Sequence, residues 1–237
     1  MGADSFQFKQ FCVHHDRCSM KVGTDGVLLG AWAAQLSTFN FQLSTILDIG
    51  TGSGLIALMM AQRFPEAKIT GIDIDLASVE QARENVAQSP FKSRIDIQHT
   101  ALEDCCEGTY QLIVSNPPFY EEDTKSKTEQ THNAKHTSLL TFEQLIEGVD
   151  RLLDSDGTFE VIVPYTAAEH LIGLAAIHRL YLIRRCDVKG SPTRPFKRTM
   201  MTFGRTPRET EHTLLIIRTP QNTYSEEYKR LTQAFYL

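Results

Sequence analysis

Three short stretches hold residues whose types and spacing could do chemistry. In "DIGTGSG", Asp48 is followed by Gly50, Gly52 and Gly54. Glycines permit a sharp turn, and without side chains they let a ligand approach the backbone. A helix opening near Ser53 would point free N–H groups and its positive dipole end at the same space. In "TGIDID", Asp73 lies 25 residues after Asp48, where an acidic side chain can accept both hydroxyls of a ribose. In "SNPPFYEED", Asn116 precedes two prolines and two aromatic residues. Adjacent prolines remove two backbone donors and fix two φ angles. The segment therefore cannot continue a central strand. It makes a stiff corner with Asn116 on one side and Phe119 and Tyr120 on the other.

The glycine stretch matches no other phosphate or nucleophile motif. A P-loop would end in Gly-Lys-Ser/Thr. An NAD-type turn needs its third glycine where Leu55 stands, and Leu55 also breaks a G-x-S-x-G around Ser53. A glycine turn with an acid at the next strand end points to a cofactor that carries a nucleoside.

The elements that must position these residues alternate. "TILDIG", "AKITGID", "RIDIQHT", "YQLIVSN" and "GTFEVIVP" read as strands. "SGLIALMMAQRF", "LASVEQARENVAQ", "TFEQLIEGVDRLL" and "TAAEHLIGLAAIH" read as helices. That alternation predicts a doubly wound parallel α/β sheet with helices on both faces, and ligands at the C-terminal strand edge. "LYLIRRCDVKG" and "EHTLLIIRT" read as two closing strands able to pair antiparallel. Upstream, Thr24 or Asp25 could cap a helix carrying Val27, Leu28, Ala31 and Trp32. The tail reads as an amphipathic helix from near Ser225.

The 237 residues suit one large domain that needs no disulfide or metal to complete its core. Five cysteines in no framework, with no secretory signal at the N-terminus, fit a reducing cytoplasm. No apolar run approaches the ~18 residues of a membrane span. "CVHHDRC" matches none of the usual zinc spacings. The net charge is −5, yet residues 179–208 hold nine Lys or Arg and one acid, +8, leaving −13 elsewhere. Such a run either grips phosphates or is merely solvated.

D-x-G-x-G-x-G, the acid of "GIDID" and "NPPF" after the fourth strand together resemble the class I S-adenosylmethionine-dependent methyltransferases. "FKQFCVHHDRCSMKVGTDGVLLGAWA" and "YSEEYKRLTQAFYL" resemble, more narrowly, the tRNA(Val) adenine-37 N6-methyltransferases. The resemblance covers nearly the whole chain. It implies a seven-stranded, mostly parallel doubly wound sheet with an antiparallel edge hairpin. It divides the chain into a cofactor-closing segment, residues 1–43, and a methyltransferase domain, residues 44–237.

By resemblance, Asp48, Gly50, Gly52 and Gly54 hold the methionine end of S-adenosyl-L-methionine and Asp73 its ribose. Leu102 and Glu103 in "TALED" contact its adenine, and Thr24 and Asp25 close over it. Asn116, Pro117, Pro118 and Phe119 form the catalytic corner. An exocyclic amine is a poor nucleophile because its lone pair is delocalised. Asn116 Oδ1 and the Pro117 carbonyl would accept its two N–H bonds and free that pair, while Phe119 stacks on the base. No strong base and no metal are required. Arg194, Lys197, Arg198 and, in the polar stretch 121–138, Lys135 are the candidates for RNA contact. The resemblance implies a tRNA partner; the oligomeric state stays open, with a monomer favoured. Guanine-N2 methylation of ribosomal RNA remains an alternative, as does an RNA-binding module without turnover.

Overall fold

In the computed structural model, residues 4–18, 20–35, 43–105, 108–118 and 140–237 are described. Phe119, Tyr120 and Lys135 lie outside them. A two-stranded antiparallel ribbon, β1 (Ser5–Gln7) and β2 (Cys12–His14), leads into α1 (Thr24–Trp32). The alternating body follows: β3 (Thr45–Ile49), α2 (Leu55–Arg63), β4 (Lys68–Asp73), α3 (Leu76–Ala87), β5 (Ile95–His99), β6 (Tyr110–Ser115), α4 (Phe142–Leu152), β7 (Leu153–Pro164) and α5 (Ala168–Ile177). It closes with β8 (Tyr181–Lys189), β9 (Phe196–Gly204), β10 (Glu211–Ile216) and α6 (Glu226–Thr232).

The main sheet runs β10-β8-β9-β7-β6-β3-β4-β5. The mostly parallel α/β architecture is as expected; two details differ. The sheet has eight strands rather than seven. The segments read as an antiparallel closing pair, β8 and β10, instead lie parallel. The hairpin partner of β8 is β9, antiparallel to both β7 and β8. β9, which carries the RNA-contact candidates Lys197 and Arg198 near its start, is thus an inner strand, with Thr199 to Gly204 buried.

Period-two side chains divide the strands between two cores. Ile46 of β3 and Leu112 and Val114 of β6 face α1, α2, α3 and α6. Leu47, Ile49 and Ile113 face α4 and α5. Start signals are local. Thr141 and Gln144 make a reciprocal capping box on α4, and Asp75 caps α3 through the Ser78 N–H. For α1 the cap is Gly23, with no side-chain cap bond, rather than Thr24 or Asp25.

Seven of the nine α1 residues are buried, and a fully buried Val or Leu contributes roughly 1.5–3 kcal/mol. The helix is therefore integral to the core. It lies close on α2: a Cβ at Gly30 would fall 2.5 Å from Met59 Sδ, and one at Gly26 3.0 Å from Leu55 Cδ2. Its far end is pinned to the sheet. Arg184 lies 3.4 Å over the Trp32 ring and donates to the Trp32 carbonyl at 2.9 Å. Both Glu160 carboxylate oxygens accept from the Ala34 N–H. Because α2 begins at the glycine turn, this packing holds the first turn of α1 above that turn.

Candidate active site

Ile49 and Ser115 end two neighbouring parallel strands as register partners. The Ser115 hydroxyl donates to the Ile49 carbonyl at 2.9 Å. Gly50 and Asn116 follow, so the glycine turn and the Asn-Pro-Pro corner emerge side by side. A cleft of about 490 Å³ opens there. Gly50, Gly52 and Asn116 line its floor side; Thr24 and Asp25 from α1, and Lys197 and Arg198 from β9, also line it. Pro117 is buried behind Asn116, and Pro118 is exposed.

The three glycines differ. Gly50 and Gly52 sit at φ +69° and +54°, and a Cβ on either would meet none of the described residues within 4 Å. Both backbones face open space, as a bound ligand requires. Gly54, at φ +79°, turns toward α3, where its Cβ would stand 3.3 Å from Ala82 Cβ. There it packs closely against α3.

Asp48 lies behind the turn, fully buried. Its Oδ2 accepts from Thr51 Oγ1 at 2.7 Å and from the Ala57 N–H at 3.1 Å, fixing the turn to the start of α2. Burial pushes its carboxyl up to about 7, against those two hydrogen bonds. Oδ1 is buried, with no hydrogen-bond partner among the described residues. Asp73, at the end of β4, accepts from the N–H groups of Gly52 and Asp75, each at 2.9 Å. Burial raises its pKa, opposed by those bonds. An open glycine cradle, an orphaned Asp48 oxygen and a second carboxylate beside the turn fit a cationic donor carrying a ribose.

The other expected contacts separate. Leu102 is buried in the core under α4, where a Cβ on Gly148 would be 2.5 Å from it; Glu103 beside it is exposed. Asp25 and Arg198, assigned to different ligands above, form one ion pair, Nε to Oδ2 at 2.7 Å. The basic run does not form a single face. Arg184 is buried beside Glu160, Arg185 pairs with Glu169 and Asp187, and Arg205 pairs with Asp150. Arg194 is exposed and Lys197 is exposed at the cleft. Met20, Lys21 and Val22 also line the cleft, unflagged in the sequence although they adjoin Thr24. The Val22 N–H donates to His15 Nδ1 at 3.3 Å, so the histidine of "CVHHDRC" supports this wall. Among the described residues no three His, Cys, Asp or Glu side chains cluster to hold a metal ion, and no helix is long and apolar enough to cross a membrane.

Comparison with known proteins places this geometry in a family. The model described as "Methyltransferase small domain" matches residues 31–172. The chain is 44% identical over 235 residues to a tRNA1(Val) (adenine(37)-N6)-methyltransferase of Flavobacterium psychrophilum, covering 98% of this chain and 99% of that protein. Identity is 43% to the Bacteroides thetaiotaomicron protein of that name, covering 100% and 99%. It is 42% to the one from Erwinia tasmaniensis, covering 99% and 95%. Among solved structures, a predicted O-methyltransferase of Agrobacterium tumefaciens superposes with a TM-score of 0.69 at 17% identity, over 89% of this chain and 96% of that one. That likeness is one of fold.

Proposed function

This chain belongs to the tRNA1(Val) (adenine(37)-N6)-methyltransferase family, and we propose that it methylates the exocyclic N6 of adenine 37 in a tRNA(Val), with Asn116 at the reacting amine. The observation that carries the assignment of the site is the shared cleft of Asn116, Gly50 and Gly52. The activity follows from relatives alike over their full length.

S-adenosyl-L-methionine, when bound, supplies an activated methyl on a positively charged sulfur. Gly50 and Gly52 would cradle it, with Asp73 on the ribose and Asp48 bracing the turn. Thr24 and Asp25 would close over the methionine end, which is the role proposed for residues 1–43 as a segment. Leu102, being buried, would contribute to the adenine end only through its backbone, leaving Glu103 the exposed side chain there.

Asn116 Oδ1 and the Pro117 carbonyl would accept the two N–H bonds of the amine. That draws the nitrogen toward tetrahedral geometry and concentrates its lone pair. The prolines fix the carbonyl direction, so little reorganisation is needed during reaction. Once methylated, the nitrogen is acidic enough to release its proton without a strong base, so an amide suffices at position 116. An amine and a pre-activated methyl need no Lewis acid, so no metal is proposed. A base at position 37 must leave its stack to reach the cleft; Phe119 is proposed to stack on it. A cytoplasmic monomer is the proposed working form.

The test offers the protein labelled donor with tRNA(Val) transcripts carrying adenine or guanine at position 37. Label recovered as N6-methyladenosine from the first alone supports the reading. A parallel reaction offers ribosomal RNA; label there as N2-methylguanosine, or none in any of these RNAs, refutes it.

A further inference from the structure

The strand order lays out the C-terminal edge of the sheet as a row. From Asp73 on β4 it passes Gly50, Asn116, Tyr165 just after β7, Phe196 opening β9, and Lys189 closing β8. The first three belong to the site already described. The last three are unused by it. Tyr165 and Phe196 stack with centroids 4.9 Å apart and planes 21° apart. Lys189 Nζ lies 4.4 Å from the Phe196 ring centroid. Both rings are half-buried, each keeping part of its surface in solvent. They lie one and two strand spacings from Asn116, ~5 and ~10 Å along the edge.

The charges on this stretch of edge are distinctive. Four cations of the 179–208 run, Arg184, Arg185, Arg198 and Arg205, are paired with carboxylates. Arg179 and Arg208 lie beyond the opposite ends of β8 and β9. Lys189, Arg194 and Lys197 remain, and among the described residues none of the three has a carboxylate partner. All three cluster at the turn joining β8 to β9. A chain of net charge −5 thus concentrates uncompensated positive charge beside an aromatic stack, next to the cleft. Backbone phosphates pair with such cations, and bases stack on such rings without regard to sequence.

We propose that Tyr165 and Phe196, with Lys189, Arg194 and Lys197, form a docking strip for the RNA nucleotides adjoining the target base. Arg185 also lies over the Tyr165 ring, 5.6 Å from its centroid, so it is the solvent-exposed part of the stacked pair that meets a neighbouring base, while the cations take its phosphates. This rests on the RNA reading above and adds the direction of the strand: away from the glycine turn, across β7 and β9. Lys197 lines both the cleft and this strip, so donor and RNA approach Asn116 from adjoining parts of one sheet edge.

The test measures binding of a tRNA(Val) transcript to the full chain across a salt series. Lys189→Gln/Arg194→Gln, two residues outside the cleft walls, should flatten the slope of log affinity against log salt by about 1.4, about 0.7 per phosphate lost. Phe196→Leu should weaken binding about tenfold with the slope unchanged, and Phe196→Tyr should restore it. Melting temperature and donor affinity should stay at wild-type values in the charge variant. Wild-type affinity and slope in the charge variant, from a wild-type protein that methylates the transcript, would overturn the strip and leave the activity standing. A wild-type protein that shows these variant effects yet transfers no methyl would leave the strip standing and overturn the activity.

Discussion

Ser115 donates its hydroxyl to the carbonyl of Ile49 at 2.9 Å, one residue before Asn116 on its own strand and one before Gly50 on the neighbour. The contact is fully buried on the Ser115 side. Besides the backbone pairing of the two strands, this side-chain hydrogen bond joins the corner that would hold the reacting amine to the turn that would hold the methyl donor. Ser115→Ala should cost about 1 kcal/mol of stability. Its larger effect should be kinetic, since misplacement of reacting groups by about 1 Å can cost up to 10²-fold in rate. Single-turnover methyl transfer should fall at least several-fold while donor affinity, read by calorimetry, stays near wild type. An unchanged rate would show that the two strand ends keep their spacing without this bond.

Gly52 and Gly54 should respond in opposite ways to the same methyl group. Gly52→Ala puts a Cβ into open space at a positive φ. It should cost only the ~1–2 kcal/mol of a left-handed backbone but sharply weaken donor binding. Gly54→Ala carries similar strain and also presses on Ala82. It should lower the melting temperature more and donor affinity less. Comparing the two variants by thermal unfolding and donor titration checks this; equal losses in both would remove the distinction.

Asp25 and Arg198 should be energetically coupled. Their ion pair joins the first turn of α1 to β9 across the cleft, with each side chain partly shielded. Asp25→Asn and Arg198→Gln should each weaken donor binding. The double variant should lose less than the sum, leaving a coupling of about 0.5–3 kcal/mol in a double-mutant cycle. Strict additivity would mean the pair has no part in shaping the donor site.

How much of this was legible in the sequence depends on the range of the interaction. The parallel strands and their helices were readable because alternation and helical periodicity are local. The glycine turn, Asp73 and Asn116 were readable because strand C-termini converge on one edge in this topology. β9 was not, because "PFKRTMM" places cations and a proline where a buried strand usually shows branched apolar residues. The pairing of Asp25 with Arg198, 173 residues apart, has no local signal, so two charges that neutralise each other were assigned to two ligands. Leu102 reads as a turn residue; only the approach of Gly148 shows that it is an anchor.

Stability should depend on pH through Asp48. Burial raises its carboxyl to about 7 in the folded chain, above the ~3.9 of an unfolded aspartate. The folded state therefore holds this proton more tightly, and the associated stability is present below about pH 4 and lost as pH rises through about 7. Asp48→Asn carries no such proton. The difference in unfolding free energy between variant and wild type should shift in the variant's favour from about pH 4 to about pH 7 and then level off. Denaturant titrations at several pH values check this, and a difference constant with pH would contradict it.

The account turns on Asn116 acting at the amine while the glycine turn holds the donor, and Asn116→Ala separates the two. Single-turnover methyl transfer to a tRNA(Val) transcript, with donor affinity measured on the same protein, reads both. Removal of one preorganised polar group at the reacting centre predicts a rate about 10²–10³-fold lower at nearly unchanged donor affinity. A rate close to wild type, or a donor affinity that falls in step with the rate, would contradict it.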